Sequence, residues 1–176
     1  VAVAEARDKV GLAGRLKLVV ADRWGRVVDE REGDNVICTT GYTAIAAALT
    51  WSGLQDQAAN LGVVSATYLT PLFGAVGSGA GTPAKADTQL FAELGRQTVG
   101  AGAASPATPS VAAEAVWQFY FPQPPAAWTV TEAGLFAAAT STANSGTMLD
   151  HWAFSPSLSV STSNTLLLQV SLALGP

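Results

Sequence analysis

The chain has 176 residues, enough for one domain with a sizeable core. It is 49% hydrophobic and only 12% charged, about half the usual charged fraction, so a lone soluble monomer is hard to sustain and extensive subunit contacts are expected. A net charge of -4 with no run of Lys or Arg excludes a nucleic-acid footprint, and the single cysteine, Cys38, excludes an intrachain disulfide and a multi-cysteine metal site.

Residues 1–14 are rich in Ala, Gly and Val without a clear period. They read as an arm that orders against a neighbour, ahead of a single domain over 15–176. The stretch VAVAEARDKV carries acids and no apolar core, so it does not read as a secretory leader. No apolar run reaches the roughly 18 residues of a membrane helix.

GRLKLVVADRWGRVVDERE predicts a hairpin. Leu16, Leu18 and Val20 alternate with Arg15, Lys17 and Val19, the period of a half-buried strand, and DRWGR supplies a turn at Gly25. In NVICTTGYTAIAAALTW the period changes. Tyr42, Ile45, Ala46 and Leu49 share a helical face, and Thr39 or Thr40 is placed to cap it. A strand is expected over 63–73, then a glycine-rich loop, then a short second helix with Asp87 at its N-cap and Gly95 past its last turn. Leu90 and Leu94 would face the core.

From Gln97 onward the pattern is β. Ala113, Ala115, Trp117, Phe119 and Phe121 alternate with Glu114, Val116, Gln118 and Tyr120. QPPAAW is a loop, because Pro124 and Pro125 cannot sit in a central strand. WTVTEAGLFAA is a strand in which Gly134 marks a bulge or a close backbone approach. TMLDHWAF follows as another strand. SLSVSTSNTLLLQVSLAL reads as a hairpin turning at Thr162 to Asn164. Short strands joined by turn residues predict a mainly β fold, an antiparallel β-sandwich with two short helices inserted before the main β-block.

Little in the chain has the spacing of known chemistry. In GAVGSGAGT over 74–82 the last glycine is followed by Thr82 and Pro83, with no lysine before Lys85, so it fails the phosphate-loop pattern, and no βαβ unit supports a dinucleotide fingerprint. It reads as a tight loop whose backbone runs close to a neighbour. His151 is the sole histidine. It follows Asp150, but no Gly-x-Ser-x-Gly nucleophile accompanies it, and a lone histidine is a weak metal ligand. It reads as a half-buried or interface residue. Asp29, Glu30, Glu32 and Asp34 lack a calcium-loop register and read as a solvated hairpin end. No carboxylate pair is marked out for glycoside hydrolysis. Cofactor, metal and catalytic residues are therefore expected to be none. Of the tryptophans, Trp117 and Trp152 sit in strand patterns and read as core. Trp24 at the hairpin tip and Trp128 beside the prolines are candidate interface anchors, or platforms for a sugar.

The order of the pieces carries further information. FGAVGSGAGTPAKADTQLFAELGR precedes WTVTEAGLFAA, then GTMLDHWAFSP, then a long alternating final strand. Over about residues 15 to 174 this resembles a group of tailed-bacteriophage virion proteins, the tail-fibre or minor structural proteins. In that group a GxGxxxPxxxDTxLxxELxR-like segment precedes an EIGLF-like one. Ala133 stands where isoleucine is more usual. The chain is expected to carry no fibre shaft or receptor-binding tip beyond the β-domain, and the resemblance then implies an attachment or decoration module. It implies a non-enzymatic structural protein located in the virion and assembled in the host cytoplasm. Such a protein associates with itself, as a trimer or ring, and docks on other virion proteins of tail or capsid, with no nucleic-acid or membrane partner. The tail or tail-fibre apparatus comes first, a capsid decoration protein is the alternative, and a carbohydrate-binding β-sandwich is a third reading. In this fold Glu132 would be structural, accepting hydrogen bonds from the backbone or from Arg96.

Overall fold

The computed structural model describes residues 11–44, 71–100, 114–137 and 139–175. Among them nine strands form two antiparallel sheets. The first sheet has the order β2-β1-β9-β6, built from β1 (Gly11–Ala21), β2 (Val27–Asp34), β6 (Glu114–Phe121) and β9 (Thr165–Gly175). The second has the order β3-β8-β7-β4-β5, built from β3 (Val36–Ile37), β4 (Pro71–Gly77), β5 (Glu93–Thr98), β7 (Trp128–Ala137) and β8 (Thr147–Val160). The mainly β expectation holds at this level. No helix among the described residues is long and apolar enough to cross a membrane.

The alternation read in the sequence sets which side chains meet. Leu16, Leu18 and Val20 of β1, Phe119 and Phe121 of β6, and Leu166, Leu168 and Val170 of β9 all point inward from the first sheet. They join Val76, Val130, Ala133, Leu135, Trp152, Leu158 and Val160 from the second sheet in one cluster. Each fully buried aliphatic or aromatic side chain contributes ~1.5–3 kcal/mol relative to exposure. At the middle of this layer Gly74 of β4 has no room for a side chain. A Cβ there would lie 2.5 Å from the Phe119 ring and 2.9 Å from Leu168.

The second sheet is buried on its other face as well. Cys38, Phe73, Ala75, Leu90, Phe136 and Met148 form a smaller cluster there. This explains why β7 and β8 show runs of consecutive buried residues where a half-buried strand would alternate. The cover comes from the connection over 78–92, which carries Leu90, and from the start of a helical segment over 39–44 that opens just after Cys38.

Several expectations are corrected. β1 starts at Gly11, so 11–14 belong to the sheet, paired with β9 through backbone groups that need no side-chain pattern. Residues 1–10 and 45–70 lie outside the described residues, and with them most of the first predicted helix and the start of the predicted strand over 63–73. The helix over 39–44 is not capped by either threonine. Tyr42 N donates to the Cys38 carbonyl, so Cys38 holds the cap position, and the Thr40 hydroxyl donates to the Met148 carbonyl. The second helix is absent: residues 87–92 are irregular and 93–98 form β5. The spacing of Asp87, Leu90 and Leu94 imitates a helix because Leu90 packs into the smaller cluster and Leu94 against the larger one. β8 and β9 turn where expected, with Asn164 N donating to Ser161 O at 3.1 Å, but they do not form a hairpin. The turn carries the chain from one sheet to the other, which lets Leu158 and Val160 face Leu166 and Leu168 across the core.

Replacing Gly74 by Ala should lower stability by ~1–3 kcal/mol through overpacking. Urea unfolding checks this, and an unchanged midpoint would show that the sheets do not approach there as described.

Candidate functional site

Among the described residues the buried acids and the histidine, Glu132, Asp150 and His151, all belong to the second sheet, and Glu132 and His151 meet on its outer face. An irregularity in the β7–β8 ladder puts Glu132 there. Val130 faces the main core. The β7–β8 register then slips between Val130, opposite Leu158, and Glu132, opposite Ala153, so that Thr131 alone spans four residues of β8, and Ala133 and Leu135 face the main core in turn. Without that slip Glu132 would share the apolar face with Val130. With it, the carboxylate turns toward the connection over 78–92.

Glu132 is fully buried and fully occupied. Gly79 N and Ala92 N donate to Oε1 at 2.9 and 2.8 Å, and Phe91 N donates to Oε2 at 3.0 Å. His151 Nε2 lies 3.0 Å from the same Oε2. The other ring nitrogen, Nδ1, lies 2.7 Å from Asp87 Oδ2. Asp87 Oδ2 also accepts from Ala84 N at 2.8 Å, closing the turn in which it sits. Thr131 adds its hydroxyl to the Gly79 carbonyl at 2.6 Å. The two ends of the 78–92 connection and its middle are thereby tied to β7 and β8. The Phe91 ring covers His151 with centroids 4.8 Å apart.

The electrostatics follow from this geometry. Burial opposes charge on His151, but bonds to Glu132 and Asp87 outweigh it and raise its pKa above the ordinary 6.5. Burial also pushes Glu132 upward. His151 and the amides of Ala92, Phe91 and Gly79 overcome it and hold the carboxyl below its ordinary 4.5. Both ring nitrogens thus face carboxyl oxygens, an arrangement that favours the imidazolium. Asp150, one residue earlier on β8, is different. Burial pushes it up to about 7, offset only in part by the Leu135 amide, by His151 and by nearby Asn35. Asn35 lies close enough to act on Asp150, yet its side-chain nitrogen and oxygen find no partner in hydrogen-bonding geometry. Cys38 is buried and its thiol is pushed up to about 12 by burial and by Asp150 and Asp87, which makes it inert as a nucleophile.

The glycines of the loop serve this cluster. A Cβ on Gly77 would collide with the Glu132 carboxylate, and one on Gly79 would lie 2.6 Å from Glu132 Oε1. The backbone does run close to a neighbour, and that neighbour is Glu132. The Gly79 amide, of the kind that would cradle a phosphate, is used by this internal carboxylate. His151 is fully buried within one chain, which corrects the half-buried or interface placement.

Arg96 is not the partner of Glu132. It pairs with Glu93, Nε to Oε1 at 2.6 Å and Nη2 to Oε2 at 2.7 Å, and lies over the Phe136 ring at 4.8 Å. Its remaining donors reach the carbonyls of Thr140 and Ser145 at 3.2 and 3.0 Å. The physical reason is again an irregular register. The β4–β5 register slips past Leu94, so Glu93 and Arg96 come to the same side of β5, while β4 separates them from β7. Glu93 also accepts from Asn144 N at 2.8 Å, so this pair holds the 140–146 turn as the other cluster holds the 78–92 connection.

The two tryptophans named as interface anchors divide. Trp24 is 65% exposed at the hairpin tip, with the guanidinium of Arg23 4.1 Å and that of Arg26 4.9 Å from its ring centre. A groove of about 680 Å³ lined by Val19, Val27, Tyr120, Pro122 and Leu167 lies beside it. Trp128 is half-buried, edge-on to Phe121 at 6.3 Å and against Gly95, so it is a rim of the main core and no free anchor. The acidic residues of β2 are cross-paired: Glu32 with Arg15 at 3.1 Å and Glu30 with Lys17 at 3.2 Å.

His151, Asp87 and Glu93 were missed as partners. The available signal was that each is polar inside a segment already singled out, but only the strand order β8-β7-β4-β5 brings them together. Among the described residues no group of three or more His, Cys, Asp and Glu is arranged to hold a metal ion. No family model, curated protein or solved structure matches this chain.

Two predictions follow from the cluster. Glu132→Gln should cost ~3–5 kcal/mol, because it leaves a buried imidazolium short of its counter-charge and the loop amides short of an acceptor; chemical unfolding measures it, and a loss under about 1 kcal/mol would contradict the geometry. The second concerns pH. His151 and Asp150 bind their protons more tightly when folded, so their contributions are complete below 6.5 and 3.8 respectively and are lost as pH rises through the folded values, about 7 for Asp150. Glu132 acts oppositely, complete above 4.5 and lost as pH falls through its lowered folded value. Stability should therefore fall as pH rises through neutrality. Nitrogen NMR of the sole imidazole should show a midpoint above 6.5, and a midpoint below it would refute the charged bridge.

Proposed function

We propose that this chain is a non-enzymatic structural protein of a tailed-phage virion, self-associating and docking on other virion proteins as a tail or tail-fibre attachment component. In this reading the two sheets form a β-sandwich, and the chain is assembled into the particle in the host cytoplasm. One observation carries the reading beyond the order of sequence pieces. The segments over 74–96, 129–137 and 146–156, which carry the resemblance to phage virion proteins, converge on the buried clusters of Glu132 and Arg96. In this reading the residues that carry the resemblance have a mechanical use, which is to fasten long connections to a sheet.

The chemistry of the cluster supports the same reading. Both ring nitrogens of His151 are held by carboxylates and the ring has no solvent-exposed surface. A general base needs a nitrogen within reach of a substrate, and this one offers none. Sugar stacking has little support either. Trp128 is packed at the core rim, and two guanidinium groups already lie over the Trp24 ring.

The test is mass spectrometry of purified tailed-phage particles whose genome carries the sequence, joined to immunogold labelling with antibody to the chain. The expected outcome is multiple copies per particle with label on the tail. Label confined to the head would move the same module to capsid decoration, and absence from washed particles would overturn the virion reading.

A further inference from the structure

Each sheet edge exposes unpaired backbone donors and acceptors that another chain can use, and proteins normally blunt such edges. Among the described residues the four edges differ sharply. β2 carries Asp29, Glu30, Glu32 and Asp34 against one arginine, Arg31. β3 has only two residues. β5 is six residues long and holds the Glu93–Arg96 pair. β6 has eight residues, EAVWQFYF, with its only charge at Glu114 and with no proline or glycine. Aromatic and β-branched residues dominate it, the composition that favours further strand pairing.

We propose that β6 is the self-association edge of this protein, pairing antiparallel with β6 of a second copy about a two-fold axis at Gln118. The inference deepens the self-association in the function proposed above and rests on that reading. The two first sheets would then run continuously through the pair, in the order β2-β1-β9-β6 followed by the same order reversed. A second copy is favoured as occupant because the strand is complementary to itself. In that register Glu114 faces Pro122, so no like charges meet. Val116 faces Tyr120 on the outer side, and Trp117 faces Phe119 on the core side, both favourable cross-strand pairs. At the axis Gln118 meets Gln118. Its Nε2 donates to Gln169 Oε1 at 3.1 Å within one copy, which leaves its carbonyl oxygen for the amide of the other. The same operation on β2 would set acid against acid.

The charge on the outer face agrees with this arrangement. Beside β6, β9 presents Leu167 and Gln169, both uncharged, whereas Arg15, Lys17, Glu30 and Glu32 lie at the far side on β1 and β2. A two-fold pair through β6 places the neutral half at its centre and the charged half at its margins, the pattern of a protein interface with a polar rim.

Sedimentation equilibrium and light scattering test this on the wild-type chain, on Gln118→Lys, on Gln118→Glu, and on an equal mixture of the two variants. The wild type should be a dimer or an even multiple. Each variant alone should dissociate at least ~100-fold more readily, since like charges then meet at the axis, and the mixture should regain the wild-type mass. Hydrogen exchange on the wild type gives a second reading that no folding defect can mask: β6 amides should gain protection as concentration rises. A wild type that stays monomeric, variants that associate as tightly as wild type, or a mixture that does not recover would each overturn the edge pairing. None of these outcomes decides whether the chain is in the particle, which the virion measurements answer separately.

Discussion

A carboxylate with no access to water must be compensated where it sits, and Glu132 imposes that condition on much of the second sheet. Three backbone amides and one imidazole satisfy it. The amides come from both ends of one connection, so compensation of the charge and closure of the loop are the same event. The glycines at 77 and 79 exist on this account because backbone must approach the carboxylate more closely than a Cβ allows. Closure of the loop then brings Leu90 down onto Phe136 and Met148, and the second face of the sheet becomes a core in its own right.

Two slips in the β ladder make this possible. Thr131 in β7 and Leu94 in β5 are each unpaired in register, and each reverses the alternation of the strand it belongs to. Glu132 and Glu93 are thereby taken out of the main core and delivered to the side where donors are available. A regular continuation of the alternation from Val130 would have left the Glu132 carboxylate on the apolar face that Val130 lines, with nothing to neutralise it. Irregular backbone is in this protein the device that reconciles an apolar interior with buried charge, and each slip lies beside the ion it positions.

What the sequence disclosed was largely what one strand discloses about itself. Alternation placed Leu16, Leu18, Val20, Phe119 and Phe121 inside, and Gly25 marked the hairpin turn, where its φ is +78°. The isolated acid in TVTEAGLF stood out as a group needing a partner. Its partners did not, because Gly79, Ala92 and His151 are chosen by strand order, and nothing local distinguishes Arg96 two strands away from His151 on the neighbouring strand. The same limit explains the false helix. Asp87, Leu90 and Leu94 have helical spacing, but they serve a turn, a satellite core and the main core in succession. It also explains the β8–β9 turn, whose residues are those of a hairpin although the strands part to opposite sheets.

With only 12% of its residues charged, the protein has few ions to place, and their positions separate into kinds. Some are internal: Asp87, Glu132 and His151 fasten one connection, and Glu93 with Arg96 fasten another. Others lie along β1 and β2, where Arg15, Lys17, Glu30 and Glu32 interlock across an edge. Arg31 pairs with Asp29 and reaches from β2 to the carbonyls of Pro156 and Ser157 on β8, at 3.1 and 3.3 Å, which ties the charged edge to the opposite sheet. Charge thus appears where a loop must be held or an edge must be kept from pairing. An exposed ion pair adds little stability, so the value of the β2 charges lies in what they exclude. Scarcity alone does not account for a neutral β6, since the ions on β2 show that the fold can guard an edge. An eight-residue edge strand left without that guard is instead a surface on which pairing is permitted.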